Sequence, residues 1–288
     1  MSGNTENAAG MRVVASGGGV GALVENIDLA SADAASIAQL RASLGDHGVL
    51  FFRDQKLTPD QHIGVARQFG GINVNRFFAH VEGFPQIAQV LKEPTQERNI
   101  GGAWHTDHSY DLEPAMGSML LARETPPSGG DTIFASTYRA YETLSDGLKR
   151  TLENLRAVHS SRHVFGPQAY EKRGDLKGQF GNTDQAQQDA THPVVIAHPI
   201  SGRRSLYVNP AFTLRFDGWT EAESAGLLKT LYDHVARPEH TYRFSWAPGS
   251  IAFWDNRASW HYALNDYHGG RRLMHRITVD GVALAPAA

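Results

Sequence analysis

The chain contains no cysteine, and this absence excludes several kinds of site at once. A disulfide framework, a thiolate zinc site, an iron–sulfur cluster and a cysteine nucleophile all need a side chain that is missing here. Any bound metal must therefore be held by histidine, aspartate or glutamate. The 14 histidines make such a site feasible.

A long apolar run and an excess of basic charge are also missing. No stretch comes near the roughly 18 consecutive apolar residues of a membrane-spanning helix, so we expect no membrane partner. The formal net charge of −3 offers no basic excess to attract nucleic acid, so no nucleic-acid partner is expected either. The polar N-terminus lacks the cationic start and apolar core of a signal peptide, which predicts a cytoplasmic protein.

The distribution of hydrophobic residues predicts a mainly β protein with helices on its outside. Short strand candidates at close spacing argue against a doubly wound parallel sheet and favour a sandwich or barrel-like core. Strands are predicted at 49–52, 87–90, 116–123, 132–135, 157–160, 194–197, 205–208, 241–246, 250–254, 260–263 and 273–279. Helices are predicted at 33–44, 58–69, 138–155 and 220–236.

Composition along the chain predicts one domain. Residues 1–10 are small and polar and predict a disordered lead, whereas 11–288 show no break that would divide them. Within this domain, 166–190 is polar and poor in large aliphatic side chains, so we expect an inserted loop or lid there. The polar stretch 93–102 predicts a loop that could lie over a functional site.

The pair His105 and Asp107 is a candidate metal-binding element. In extended backbone, side chains two residues apart point to the same face, so an imidazole and a carboxylate could converge on one ion. Such a pair is weak evidence alone, but His261 supplies a third ligand. Two imidazoles and one carboxylate are typical of non-heme Fe(II) oxygenases, although zinc could use the same ligands to activate water for hydrolysis.

Two further residues favour iron over zinc. Arg272 follows His261 by eleven positions, and Thr132 follows a glycine-rich turn. A guanidinium and a hydroxyl together suit the distal carboxylate of a dicarboxylate, because the arginine gives two parallel charge-assisted hydrogen bonds and the threonine a third. A zinc hydrolase has no use for this pair.

Five short motifs follow one another in order along the chain. They are His105-Thr106-Asp107, Gly129-Gly130-Asp131-Thr132, Trp254-Asp255-Asn256-Arg257, His261-Tyr262-Ala263 and Arg271-Arg272 with His275-Arg276. Together they resemble the taurine dioxygenase/TfdA family of Fe(II)- and 2-oxoglutarate-dependent oxygenases. The resemblance runs from about Gly21 to the C-terminus.

The resemblance implies a fold and a set of roles. It implies a double-stranded β-helix (jelly-roll) core, a homo-oligomer, and Fe(II) with 2-oxoglutarate and O2 as cofactor and co-substrates. His105, Asp107 and His261 would bind iron, and Thr132 and Arg272 would contact the distal carboxylate of 2-oxoglutarate. No catalytic acid or base is required, so none is assigned, and ordinary structural roles suffice for the other histidines.

The resemblance also guides the substrate prediction. Arg276 would meet an anionic group of a small organic acid. Asn75, Gly101 and Phe78 stand where taurine-specific members place polar partners for an amine, and Val164-Phe165 keeps an aromatic wall.

These substitutions favour a hydrophobic or aromatic carboxylic acid, such as an aryloxyalkanoate, which would be hydroxylated with succinate and CO2 as co-products. The segments 158–166 and 207–209 also look closer to the phenoxypropionate dioxygenase branch. A taurine, alkylsulfonate or alkylsulfate dioxygenase is the alternative. A zinc-dependent hydrolase and a non-catalytic jelly-roll binding protein are alternatives from other classes.

Overall fold

A computed structural model describes residues 5–6, 10–172 and 174–287. The helices are α1 Ala34–His47, α2 Pro59–Arg67, α3 Thr137–Glu142, α4 Asp146–Leu152, α5 Arg162–Phe165, α6 Pro167–Glu171 and α7 Glu221–Val235. Short 3-10 helices lie at Gly17–Gly19, Leu29–Ser31, Gly174–Gln179, Thr183–Gln185 and Pro238–His240. The strands are β1 Thr5–Glu6, β2 Arg12–Ala15, β3 Ala22–Glu25, β4 Val49–Phe52, β5 Ile72–Asn73, β6 His80–Val81, β7 Phe84–Lys92, β8 Gly117–Glu124, β9 Thr132–Ser136, β10 Arg156–Ser160, β11 Asp189–Pro193, β12 Val195–Ala197, β13 Arg204–Leu206, β14 Thr213–Phe216, β15 Thr241–Phe244, β16 Ile251–Asp255, β17 Ser259–Ala263 and β18 Arg272–Val279.

Two sheets form the core. The main sheet has the order β1-β2-β3-β4-β16-β8-β18-β7-β6, and β5 pairs with β18. The facing sheet has the order β15-β9-β17. Phe134 and Phe244 of the facing sheet pack with Phe51, Leu120 and other residues of the main sheet in one buried cluster. This is the double-stranded β-helix that the family resemblance implies.

Strand β4 shows why the main sheet is apolar on both faces. Val49 and Phe51 point between the sheets, whereas Leu50 and Phe52 point outward into a second cluster that includes side chains of α1 and α2. A strand that is covered on both faces shows as a continuous apolar run instead of an alternation. The run at 49–52 therefore marks the middle of the structure.

The helices begin where local sequence dictates. Thr58 caps α2 through its side chain and Gln61 returns the bond, and Thr220 and Glu223 form the same capping box at α7. Each box satisfies backbone N–H groups that would otherwise lack partners. Helices were predicted over both ranges, at 58–69 and 220–236.

The single helix predicted at 138–155 is wrong. The chain forms α3 and α4 instead, and Ser145 begins α4 by accepting a hydrogen bond from Leu148 N at 3.4 Å. A serine at this position competes for the backbone and favours a new N-terminus over a continuous helix.

The polar segment 166–190 is more structured than a loop. It contains α6 and two 3-10 helices, and it buries Leu176, Phe180 and Ala186 in an aromatic cluster beside the site. Its behaviour as a lid stays a prediction.

Of the predicted disordered lead, Thr5–Glu6 instead pairs with β2, and residues 1–4 and 7–9 lie outside the described residues. No described helix is both long and apolar enough to cross a bilayer.

Helix α2 carries a buried histidine that predicts acid sensitivity. His62 is 0 % exposed and neither ring nitrogen has a hydrogen-bond partner among the described residues. Burial, with Arg123 and His275 nearby, lowers the pKa of His62 to about 3. In the unfolded chain, His62 binds a proton near pH 6.5. Its contribution to the unfolding free energy is therefore complete above that pH and is lost progressively as the pH falls towards 3.

We therefore expect His62→Leu to flatten the pH dependence of stability. The substitution should remove about 2 kcal/mol of the decrease in unfolding free energy between pH 8 and pH 5, measured by urea titration. His268→Gln, at an exposed position, should leave the decrease unchanged. An equal decrease in His62→Leu and the parent would contradict the assignment.

Candidate metal and 2-oxoglutarate site

The candidate metal ligands come from two chain segments that the backbone holds together. His105 N donates to His261 O at 3.2 Å, and His261 N donates to His105 O at 2.8 Å. Asp107 Oδ1 lies 3.9 Å from His105 Nε2, and its Oδ2 lies 3.9 Å from His261 Nε2. One ligand atom from each residue lies within 4.8 Å of the others, so the three predicted ligands converge.

The protonation states of these residues suit a divalent cation. Burial is the largest influence on both histidines and lowers the pKa of His105 and of His261, which keeps the imidazoles neutral. Burial opposes ionisation of Asp107, but Arg276 and then the two imidazoles hold the pKa of that carboxyl well below its usual range. Metal ligands must be deprotonated, and these are. His105 Nδ1 lies 2.8 Å from Ala103 O, which directs Nε2 to the site.

Asn256 connects the two halves of the ligand set. It lies in the turn between β16 and β17, and its backbone oxygen accepts a hydrogen bond from Thr106 Oγ1 at 2.6 Å. Its side-chain oxygen accepts from Asp107 N at 3.3 Å and from Trp254 Nε1 at 3.0 Å. The loop that carries the aspartate is thereby fixed to the hairpin that carries the second histidine.

Both oxygens of Asp107 are held in place. Ser118 Oγ donates to Oδ2 at 3.1 Å, and Arg276 Nη1 donates to Oδ1 at 3.2 Å. Hydrogen bonds of this kind orient a carboxylate before the metal arrives.

The predicted 2-oxoglutarate contacts form a buried anion site. Arg272 is 5 % exposed, and its Nε and Nη2 have no hydrogen-bond partner among the described residues. The neighbouring carboxylate of Asp131 is engaged by Arg243 at 2.6 Å. Burial lowers the pKa of Arg272, but a guanidinium stays charged. This buried cation therefore requires an anion that the described chain does not supply.

Thr132 completes the anion site. Its Oγ1 accepts a hydrogen bond from Trp246 Nε1 at 3.0 Å, so its own hydroxyl hydrogen is left to donate elsewhere. Gly130 has a φ of +72°, and a Cβ there would lie 3.3 Å from Arg272 Cδ. The glycine of the predicted motif lets the turn approach the arginine closely.

The metal ligands and the anion site line one cavity of about 570 Å³. All six residues predicted to contact the substrate line the same cavity. They are Arg276, Asn75, Phe78, Gly101, Val164 and Phe165. Their contact with a substrate stays a prediction.

Two of these residues have visible local roles. Asn75 Oδ1 accepts hydrogen bonds from the backbone N–H groups of Phe77 and Phe78, so it shapes the loop that presents the Phe78 ring. Gly101 has a φ of +79°, and a Cβ there would lie 3.3 Å from His105 Cε1. A larger side chain at 101 would press on a metal ligand.

Sequence reasoning missed the residues that orient the site. Asn256 lies within a recognised motif, which signalled its importance but not its contacts. Ser118 and Trp246 gave no signal, because their roles depend on strands that come together only in the fold.

The site defines the class: a facial arrangement of two histidines and one carboxylate beside a buried site for a dicarboxylate is that of an Fe(II)- and 2-oxoglutarate-dependent oxygenase. The family described as "Taurine catabolism dioxygenase TauD, TfdA family" matches residues 13–278. The chain belongs to the TauD/TfdA family.

Individual relatives span the chain almost completely. An alpha-ketoglutarate-dependent sulfate ester dioxygenase of Pseudomonas putida is 34% identical over 273 residues, which cover 92% of this chain and 87% of the relative. An (S)-phenoxypropionate/alpha-ketoglutarate-dioxygenase of Sphingobium herbicidovorans is 33% identical over 271 residues, which cover 91% of this chain and 92% of the relative. The crystal structure of a taurine dioxygenase from Burkholderia xenovorans superposes with a TM-score of 0.81 at 34% identity, covering 96% of this chain and 93% of the other.

The predictions of fold, enzyme class and cofactors are therefore confirmed. The protein is an oxygenase that uses Fe(II), 2-oxoglutarate and O2 and acts on a small molecule. A zinc hydrolase and a non-catalytic binding protein fit neither the family nor Arg272, a buried cation whose Nε and Nη2 have no partner among the described residues.

Neighbouring arginines allow a matched test of the anion site. Arg272→Gln should weaken 2-oxoglutarate binding by about 100-fold or more, because it removes a buried charge-assisted pair. Arg271→Gln should change it by less than about twofold, since Arg271 lies outside the cavity and pairs with Glu93 and Glu124. Calorimetric titration of the Mn(II)-loaded proteins measures both. Equal losses would contradict the assignment of Arg272.

Proposed function

We propose that the protein hydroxylates a hydrophobic or aromatic organic anion, with a carboxylic acid of the aryloxyalkanoate type as the first candidate. The observation that carries the proposal is a cation set among aromatic rings beside the metal ligands. Arg276 lies 3.2 Å from Asp107 Oδ1, and its guanidinium carbon lies 4.6 Å from the centre of the Phe78 ring.

Arg276 is suited to hold the substrate's anionic group. Only Nη1 donates to Asp107, and Nε has no partner among the described residues. Arg272 and Arg276 lie four residues apart on β18, so their side chains share a face of the strand. This spacing supports neighbouring roles for the two arginines in one cavity. One arginine serves the co-substrate, and the other would place a substrate C–H bond near the metal.

Aromatic side chains would hold the rest of the substrate. The centre of the Phe78 ring lies 4.9 Å from that of Phe180, and Phe165 lies 5.9 Å from Phe212. All four line the cavity. Such walls exclude water and restrict the orientation of an apolar group, which favours reaction at one carbon. A small, polar amine such as taurine would leave them uncovered.

When bound, Fe(II) with 2-oxoglutarate and O2 supplies the oxidation: one oxygen atom enters a substrate C–H bond, and the other enters the oxoacid, which becomes succinate and CO2. If the hydroxylated carbon bears an ether or ester oxygen, the product breaks down to a carbonyl compound and a free phenol or sulfate. Neither step needs an acid or base from the chain.

A sulfate ester of a hydrophobic alcohol is the second candidate. The similarity to the Pseudomonas putida sulfate ester dioxygenase favours it as strongly as the Sphingobium relative favours the first. Both candidates pair an anion with an apolar body, which is what Arg276 and the aromatic walls accommodate.

Three predictions from sequence concern the setting of this activity. We propose that the enzyme acts in the cytoplasm, as a homo-oligomer, and without a nucleic-acid or membrane partner. The family resemblance supports the oligomer, and the formal net charge of −3, which offers no basic excess, supports the absence of a nucleic-acid partner.

A substrate panel tests the proposal through succinate formation. With Fe(II) and 2-oxoglutarate present, 2-phenoxypropionate or hexyl sulfate should give a kcat/KM at least about 100-fold above that of taurine, because only they cover the apolar walls. Arg276→Gln should raise KM for the preferred anion by about 10- to 100-fold. It should have far less effect on the neutral amide of 2-phenoxypropionate.

Arg271→Gln serves as the surface control and should behave as the parent does. Taurine turnover above that of both apolar anions would contradict the proposal. A loss in Arg276→Gln that is equal for the acid and its amide would contradict the role of that arginine.

A further inference from the structure

His108 directly follows a metal ligand and has an unusual backbone. Its φ is +59°, in the left-handed region that residues other than glycine seldom adopt. The backbone turns here, with Asp111 N donating to His108 O at 3.0 Å. This turn takes His108 out of the extended alternation and leaves it 2 % exposed at the border of the cavity.

One side of the His108 ring is fixed by a charged pair. His108 Nδ1 lies 2.9 Å from Asp111 Oδ2, and Asp111 Oδ1 lies 2.7 Å from Arg76 Nη2. A carboxylate that is paired with a guanidinium only accepts hydrogen bonds, so Nδ1 carries the hydrogen. In the neutral ring, Nε2 then presents a lone pair.

That Nε2 atom is buried and has no hydrogen-bond partner among the described residues. A buried polar atom without a partner costs about 1–3 kcal/mol, so a partner is expected. Both ring nitrogens of His62 and Nε2 of His159 also lack partners among the described residues, but neither histidine borders the cavity. Among the described histidines outside the metal set, His108 is therefore the one whose ring nitrogen a molecule in the cavity can satisfy.

We propose that His108 Nε2 accepts a hydrogen bond from an O–H or N–H group of the substrate, close to the carbon that reacts. The inference rests on the proposed function, since it places the substrate in the same cavity. Arg276 and His108 both adjoin Asp107, one as a cation and one as an acceptor. The preferred substrate is then an apolar or aromatic anion that also bears a hydroxyl or N–H group near its anionic end.

An isosteric pair of probes separates this role from simple anion binding. 2-Phenoxypropionate carries an ether oxygen, which only accepts, where 2-anilinopropionate carries an N–H donor. Both are aromatic carboxylates at neutral pH. We expect the protein loaded with Zn(II) and 2-oxoglutarate to bind the anilino acid about tenfold or more tightly than the phenoxy acid. This difference corresponds to one added hydrogen bond of about 1.4 kcal/mol.

Two variants identify the acceptor. Asn tolerates the left-handed backbone, so His108→Asn keeps the turn while its shorter side chain withdraws the acceptor. His108→Leu removes all polarity. In each variant, the affinities for the anilino acid and the phenoxy acid should differ by less than about twofold. The melting temperature of each loaded variant shows that the protein measured is folded.

A spectroscopic readout reports on the atom itself. In the parent, the ¹⁵N resonance of His108 Nε2 should move upfield when the anilino acid binds, as expected for a lone pair that accepts a hydrogen bond. The phenoxy acid should leave it nearly unchanged. A role confined to stabilising the turn predicts no such difference.

The outcomes distinguish the role of His108 from the proposed function. Binding of both probes with equal affinity, or equal losses for both in the variants, would overturn the role of His108 and leave the proposed function intact. Failure of both probes to bind at millimolar concentration would contradict the proposed substrate class, and the inference about His108 with it.

Discussion

The site depends on one short piece of backbone pairing. The two hydrogen bonds between His105 and His261 join a loop to a strand of the facing sheet, across more than half of the sequence. Both imidazoles are thereby fixed relative to one another before any metal binds. Asn256 then anchors Asp107 to the same hairpin, so that the third ligand inherits this geometry. Because the ligands are already ordered, less conformational entropy is lost when a metal binds.

The two buried arginines of the cavity differ in how their charge is balanced. Arg276 is partly neutralised by Asp107, whereas Arg272 is buried without a carboxylate partner among the described residues. The two arginines share a strand face but differ in what they require. Arg272, whose Nε and Nη2 have no partner among the described residues, is the one that we propose binds 2-oxoglutarate, and Arg276 is the one that we propose binds the substrate.

Sequence reasoning identified the candidate ligands, which converge in the fold, but not the residues that orient them. The metal ligands and the anion contacts were predicted because each has a characteristic residue type at a characteristic spacing, as in His105-Thr106-Asp107. The boundaries of β4 and the beginnings of α2 and α7 were predicted because local sequence determines them. The break at Ser145 was missed because one capping residue was outweighed by five apolar residues at helical spacing, Tyr141, Leu144, Leu148, Leu152 and Leu155.

The remaining features depend on contacts between distant parts of the chain. Ser118 reaches Asp107 only because β8 lies in the main sheet beneath the loop. The helices at 166–190 are stabilised because Leu176 and Phe180 pack into an aromatic cluster. The local sequence does not predict this cluster. The left-handed turn at His108 depends on how the loop packs after Asp107. None of these could be read from spacing or composition.

The central claim is that these three ligands bind Fe(II) and that Arg272 and Thr132 present 2-oxoglutarate to it. The most direct measurement is an anaerobic titration of the Fe(II)-loaded protein with 2-oxoglutarate, followed by visible absorption. The account predicts a saturable metal-to-ligand charge-transfer band with one equivalent of each component. Absence of the band in folded, iron-loaded protein would contradict it.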